Sequence, residues 1–258
     1  MAEKGKVYFV GAGPGACDLI TVRGQRLLEE ADLIIYAGSL VNPKLLSFAK
    51  EGVSVFDSSK MTLDEMIDEM AAAAKNDQTV VRLHTGDPSL YGAIGEQMRE
   101  LKKRDIPFEI CPGVSACFGA AASLLLEYTL PDISQTLILT RMSGKTSVPE
   151  SESIESLALH KASMAIYLSG AMLSELTEKL TAGGYDEDTP SALIYKATWP
   201  DEKIIRAPLS KIPELAEKEG IDHFALLIVG AALDSHDFSN SKLYDKAFET
   251  AFRKGEAK

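Results

Sequence analysis

The stretch KVYFVGAGPGACDLITVRG, Lys6–Gly24, decides the fold class. Lys6–Val10 is a short apolar run, rich in β-branched and aromatic residues, of the kind a buried strand requires. Gly11-Ala12-Gly13-Pro14-Gly15 breaks that run, and Val22–Glu30 then reads as a short helix. A strand, a glycine turn and a helix make the opening half of a βαβ unit, so the chain is expected to be an α/β protein.

The pattern repeats outward from there. Leu33–Tyr36 (LIIY), Thr79–Leu83 (TVVRL) and Phe108–Cys111 read as strands. Thr62 and Glu65 have capping-box spacing at the head of a helix from Leu63 to about Lys75, and a further helix is expected from about Gly92 to Lys103. Short apolar strands separated by helices predict a mainly parallel sheet. Pro112-Gly113 breaks any regular element, and Ser115–Leu126 starts afresh as a small-residue helix. Thr136–Thr140, Met164–Leu168, Ala192–Tyr195, Ile204–Ala207 and Phe224–Val229 read as strands, and Ile154–His160, Met172–Ala182 and Lys211–Glu219 as helices. The expected organisation is an N-terminal α/β domain over 1–113, a C-terminal α/β domain over 114–240, and a C-terminal helix or tail over 241–258. Met142–Glu152 (MSGKTSVPESE) is rich in turn residues and reads as a mobile loop.

Bulk composition narrows the function. At 258 residues the chain is long for one simple domain and comfortable for two. Its net charge of −11 argues against a broad nucleic-acid or anionic-membrane surface, though a local basic cluster can still bind a small anion. No apolar run approaches the ~20 residues of a membrane-spanning helix, and the N-terminal residues carry no signal-peptide core. A cytoplasmic location is expected. The three cysteines, Cys17, Cys111 and Cys117, are odd in number and lack zinc-ligand spacing, as do the four histidines, His84, His160, His223 and His236, so no metal site is expected.

Two loops carry the chemistry. Gly11, Gly13 and Ala16 fit the spacing of a dinucleotide fingerprint. That fingerprint wants an acidic residue at the end of the second strand, where this chain has Tyr36-Ala37-Gly38, and Pro14 removes an N–H from the turn. Nucleotide binding and a purely steric glycine turn therefore stand level. The second loop, His84-Thr85-Gly86-Asp87-Pro88-Ser89-Leu90-Tyr91-Gly92, leaves a strand where α/β sheets place ligands. Gly86 permits close backbone approach, and Asp87 can serve a ligand, cap the next helix, or both. His84 reads as a packed histidine.

VGAGPGACDLITVRG, TGDPSLYG and PGVSA together resemble the signature segments of the tetrapyrrole methylases, in order and over nearly the whole chain, from Val7 to about Gly230. YAGSLVNP (Tyr36–Pro43), HTGDPSLYGAIGEQ (His84–Gln97), LPDISQTLILTRMSGKTSVPE (Leu130–Glu150) and AIYLSG (Ala165–Gly170) are similar to the members that methylate C-11 of precorrin-4 or cobalt-precorrin-4 in cobalamin biosynthesis. Many members carry Asp-Pro where this chain has Ala16-Cys17, a difference confined to the shape of the turn.

The resemblance implies an S-adenosylmethionine-dependent C-methyltransferase with S-adenosylhomocysteine as product. It implies two α/β domains with the cofactor cleft between them, and a homodimer. Carried over by motif position, the cofactor contacts are Pro14, Thr85, Gly86, Asp87, Leu90 and Tyr91, then Ser115 and Ala116 after Pro-Gly, and Leu168, Ala197 and Ala225 from the second domain. The last three are equally readable as core positions. An anionic tetrapyrrole needs positive charge where its carboxylates dock, and Arg141 and Lys145 beside the polar loop are the candidates. For Lys145 an ordinary solvated charge is the slightly better reading. No catalytic base is assigned: Asp32, Asp87 or a water could take a proton. The rivals are a methylase acting at another ring position, an NAD-dependent dehydrogenase, and a nucleotide-binding module without methyltransferase activity.

Overall fold

The structure, a computed structural model, describes residues 2–234 and 238–255. The chain divides into two compact units: Met1–Ala120 with Lys196–Glu202, and Ala121–Tyr195 with Lys203–Lys258. The boundary expected from the sequence lies between residues 113 and 114, with 114–240 in the second domain and 241–258 as a separate helix or tail. The division instead falls within a helix, and a short later segment joins the first unit.

The first unit is built on β1 (Lys6–Gly11), β2 (Leu33–Tyr36), β3 (Ser54–Asp57), β4 (Thr79–His84) and β5 (Phe108–Cys111), in the order β3-β2-β4-β1-β5. Every pairing is parallel, as the alternation of short apolar strands with helices predicts. Strand alternation splits the core into two layers. Val7, Phe9, Ile35 and Val80 bury one face against α2 (Leu63–Lys75) and α3 (Ile94–Lys103). Tyr8, Val10, Ile34 and Val81 bury the other in a cluster that includes Leu27 and Leu28 of α1 (Val22–Glu30). Each such fully buried side chain contributes roughly 1.5–3 kcal/mol. α4 (Ala116–Leu124) follows the Pro-Gly break and contains the boundary between the units.

The second unit carries β6 (Leu137–Arg141), β7 (Ser163–Tyr167), β8 (Pro190–Tyr195), β9 (Lys203–Pro208) and β10 (Ala225–Val229), in the order β6-β7-β10-β8-β9. This sheet is mixed: β6 and β7 are parallel, and the remaining pairings are antiparallel. Its helices α5 (Ile154–Ala158), α6 (Leu173–Ala182) and α7 (Ile212–Lys218) share one apolar core with the sheet through Ala158, Leu176, Ile212, Met164 and Leu227. Beyond it, residues 238–255 hold a short turn at Lys242–Tyr244 and a bridge between Thr250 and Arg253, not a regular helix. Part of the expected tail, residues 256–258, lies outside the described residues, as does His236.

Candidate functional site

The glycine turn is buried throughout Gly11–Gly15 and is stitched to its neighbours by its own backbone. Ala12 N–H donates to the His84 carbonyl at 2.7 Å. Gly13 and Gly86 exchange both backbone bonds, at 3.2 and 2.9 Å. A Cβ on Gly113 would lie 2.2 Å from the Gly86 carbonyl oxygen and 2.7 Å from Gly11 Cα. The ends of β1, β4 and β5 therefore meet backbone to backbone, which only glycine permits. Further along, Gly15 C=O accepts from Asn42 Nδ2 at 2.8 Å, Pro14 C=O from the Trp199 indole N–H at 3.0 Å, and Thr198 Oγ1 from Ala16 N–H at 3.0 Å. A pyrophosphate needs amide donors turned toward it. Here the Gly13, Gly86 and Ala16 amides are spent within the protein, so the turn suits a ligand without phosphate and disfavours the dinucleotide reading.

The second loop is tighter than its composition suggests. Gly86, Tyr91 and Ala93 have φ of +59°, +58° and +50°. Left-handed backbone at two non-glycine residues in one loop is uncommon and costs energy. A Cβ on Gly86 would meet the backbone of Ser115 and Ala116 at 3.6 and 3.7 Å, ordinary contact distances. Backbone conformation is thus what demands glycine at this position. Asp87 does not cap α3, which begins at Ile94 behind Ala93. Its carboxylate accepts from Gly113 N–H at 2.8 Å, from Ser89 N–H at 2.9 Å and from the Ser89 hydroxyl. Partial burial works against its charge, but these three donors prevail and hold its carboxyl below the usual range. Asp87 clamps the loop to the Pro-Gly crossover and keeps a charge at the carboxyl end of β4.

Two basic side chains, Arg82 and His84, are buried at the end of β4 that leads into the loop. Arg82 is held by neutral partners, Gln97 Oε1 at 3.2 Å and the carbonyls of Ile35 at 3.2 Å and Leu83 at 3.4 Å. Burial pushes its guanidinium down to about 10. Gln97 Nε2 in turn donates to Ala93 C=O at 3.2 Å, so the strand is linked to the left-handed end of the loop. His84 is packed, as expected, with Phe9 at 6.1 Å between ring centroids. Burial, and secondarily the charge of Arg82, push its imidazole down to about 3. Asp32 lies at the opposite end of the sheet, where it accepts from Thr79 N–H and Lys50, and this removes it as a base near the loops.

Of the sequence-predicted contacts, Pro14, Thr85, Gly86, Asp87, Leu90, Tyr91, Ser115 and Ala116 fall in the first unit, at or near the ends of β1, β4 and β5. Ala197, expected in the second domain, also belongs to the first unit, because Thr198 and Trp199 bind the glycine turn. Leu168 and Ala225 belong to the second unit. They lie just beyond the paired residues of β7 and at the start of β10, which run antiparallel, so both sit at one end of that pair. Leu168 is 64% exposed at φ +54°, while Ala225 is half-buried against the core. Arg141 is half-buried and turned into the polar loop, where it donates to the carbonyls of Met142, Thr146 and Ser147 at 3.2, 3.1 and 2.9 Å. Lys145 is exposed in the same loop. Sequence reading missed Asn42, Thr198 and Trp199. The signal available was Asn42 within YAGSLVNP and the chain's single tryptophan.

Residues 6–213 match the tetrapyrrole (corrin/porphyrin) methylases, and the chain belongs to that family. A cobalt-precorrin-4 C(11)-methyltransferase of Methanocaldococcus jannaschii is 51% identical over 258 residues, with 100% of each chain covered. The solved structure of a cobalt precorrin-4 methyltransferase matches with a TM-score of 0.87 at 44% identity, covering 90% of this chain and 97% of that one. Uroporphyrin-III C-methyltransferase of Thermus thermophilus, solved with S-adenosylhomocysteine, matches with a TM-score of 0.73 at 25% identity, covering 88% and 93%.

Proposed function

We propose that this chain is an S-adenosylmethionine-dependent methyltransferase that methylates C-11 of cobalt-precorrin-4, or of metal-free precorrin-4, in cobalamin biosynthesis. The observation that carries this reading is the full-length 51% identity to an enzyme of that name. The first unit supports the choice of donor: a glycine turn whose Ala12, Gly13 and Ala16 amides are already spent suits a cofactor that lacks phosphate. We further propose that the Thr85–Tyr91 loop, Pro14, Ser115, Ala116 and Ala197 of the first unit hold that cofactor; Leu168 and Ala225 are the candidate contacts of the second unit. The left-handed Leu168, an exposed leucine in a costly conformation, is the kind of strained residue found at ligand sites.

S-adenosylmethionine supplies a methyl group on a sulfonium, already activated for in-line displacement by a ring carbon. The protein's part is to align the reactants, worth roughly 7–11 kcal/mol of barrier, and to keep water from the reacting pair. Lys145 meets the substrate's carboxylates, while Arg141 shapes the loop that carries it and joins the contact when the loop rearranges. The working form is a cytoplasmic homodimer.

Calorimetric titration tests the cofactor half of this reading. S-adenosylhomocysteine should bind and NAD should not. Asp87→Ala should stay folded and bind about 10- to 100-fold more weakly, since the Gly113 and Ser89 donors lose a charged acceptor worth roughly 1–3 kcal/mol. Tight NAD binding, or a folded Asp87→Ala protein with unchanged affinity, would remove the loop from the site.

A further inference from the structure

We propose that Thr198 and Trp199 are positioning residues for the cofactor: they form a strap that sets the conformation of Pro14-Gly15-Ala16. The inference rests on the reading that this turn and the Thr85–Tyr91 loop hold S-adenosylmethionine. The strap is the tip of the β8–β9 hairpin, Lys196–Glu202, which belongs to the first unit.

Three contacts fix the turn. Trp199 Nε1 donates to Pro14 C=O and Ala16 N–H donates to Thr198 Oγ1, both at 3.0 Å. The Trp199 ring also lies directly on Gly15, where a Cβ would come within 2.1 Å of its Cδ1. Gly119 closes the far side, since a Cβ there would be 2.8 Å from the Pro14 ring and 3.0 Å from Thr198 Cγ2. The strap therefore takes the carbonyl of Pro14 and the amide of Ala16 and lays its indole on Gly15 between them.

The tip is braced to do this. Lys196 and Thr198 sit at φ +48° and +67°, a conformation that a β-branched threonine adopts only when its surroundings impose it. Thr198 N–H donates to Glu202 Oε2 at 2.6 Å, and Trp199 N–H to the Lys196 carbonyl at 3.0 Å. Lys196 Nζ stands 5.5 Å from the Trp199 ring centroid and pairs with Asp201 at 2.6 Å. These bonds hold the indole and the hydroxyl in their directions before any ligand arrives. The strap links Pro14 to Ala197, two positions already assigned to the cofactor, so its geometry sets theirs. Preorganisation of this kind acts on ligand affinity.

The test uses the full-length protein and S-adenosylhomocysteine as probe. Trp199 is the chain's single tryptophan, so its emission reports on the strap directly. Emission should shift on titration and saturate with the calorimetric heat. Trp199→Phe keeps a ring over Gly15 and deletes the N–H, and Thr198→Val deletes the acceptor. Each should weaken S-adenosylhomocysteine binding about 5- to 20-fold and raise KM for S-adenosylmethionine, leaving KM for the tetrapyrrole unchanged. Thr198→Ser should restore wild-type affinity, which a merely structural role in packing the Cγ2 methyl would not allow. Wild-type affinity in both Trp199→Phe and Thr198→Val, with normal binding by the parent protein, overturns the strap and spares the cofactor reading. Failure of the parent to bind the probe overturns both.

Discussion

At the residue scale, His84 shows how burial fixes a charge state. It is 4% exposed, its Nε2 has no hydrogen-bond partner among the described residues, and its imidazole is pushed down from 6.5 to about 3. The unfolded chain therefore takes up a proton between those values that the folded chain refuses. Stability is intact above pH 6.5 and falls as the pH drops, by about 1.4 kcal/mol per unit. Urea unfolding should show the wild type losing about 2 kcal/mol more than His84→Leu between pH 7 and pH 5. Parallel profiles for the two proteins would mean that His84 is not held neutral. His84 was readable as a packed residue because no cysteine or second histidine lies at metal-ligand spacing from it. Asp87 was readable as important because it follows Gly86 at a strand end, but its partner Gly113 was not, since no local pattern links residues 26 positions apart. Thr198 and Trp199 were hidden for the same reason: they act on a turn more than 180 positions earlier.

At the element scale, α2 was legible to its ends. Thr62 Oγ1 accepts from Glu65 N–H at 3.3 Å and Thr62 N–H donates to Glu65 Oε2 at 2.7 Å, completing the capping box that the spacing foretold. Thr62→Ala should cost about 1 kcal/mol in urea unfolding, because the cap holds two reciprocal bonds at the exposed head of the helix. No loss of stability would mean that water replaces the cap at no cost. β3 was not legible. Its four residues, Ser54–Asp57, form an edge strand whose Val55 and Phe56 stay 41% and 38% exposed, so no apolar alternation marks it. The mixed pairing of the second sheet was also invisible, because an apolar run such as FALLIV does not encode the direction of its neighbours. The polar loop after β6 read as mobile from its composition, yet Arg141 braces it through three carbonyls.

At the scale of the whole molecule, two units with separate cores share one chain of net charge −11, and the proposed substrate is itself an anion. Attraction must come from a few placed cations and not from the overall field. Family membership follows from three ordered glycine-containing segments, which is why it was legible from the sequence when the unit boundary was not: the motifs are local, and the boundary depends on which helix turns pack with which sheet. The ring position of methylation is what sets this enzyme apart from other methylases of the family. Incubation with methyl-13C S-adenosylmethionine and cobalt-precorrin-4, with the product read by NMR, tests it most directly. A single new labelled methyl on C-11, formed with stoichiometric S-adenosylhomocysteine, is the expected product; a labelled methyl on any other carbon, or S-adenosylhomocysteine bound without methyl transfer to either form of precorrin-4, would overturn the assignment.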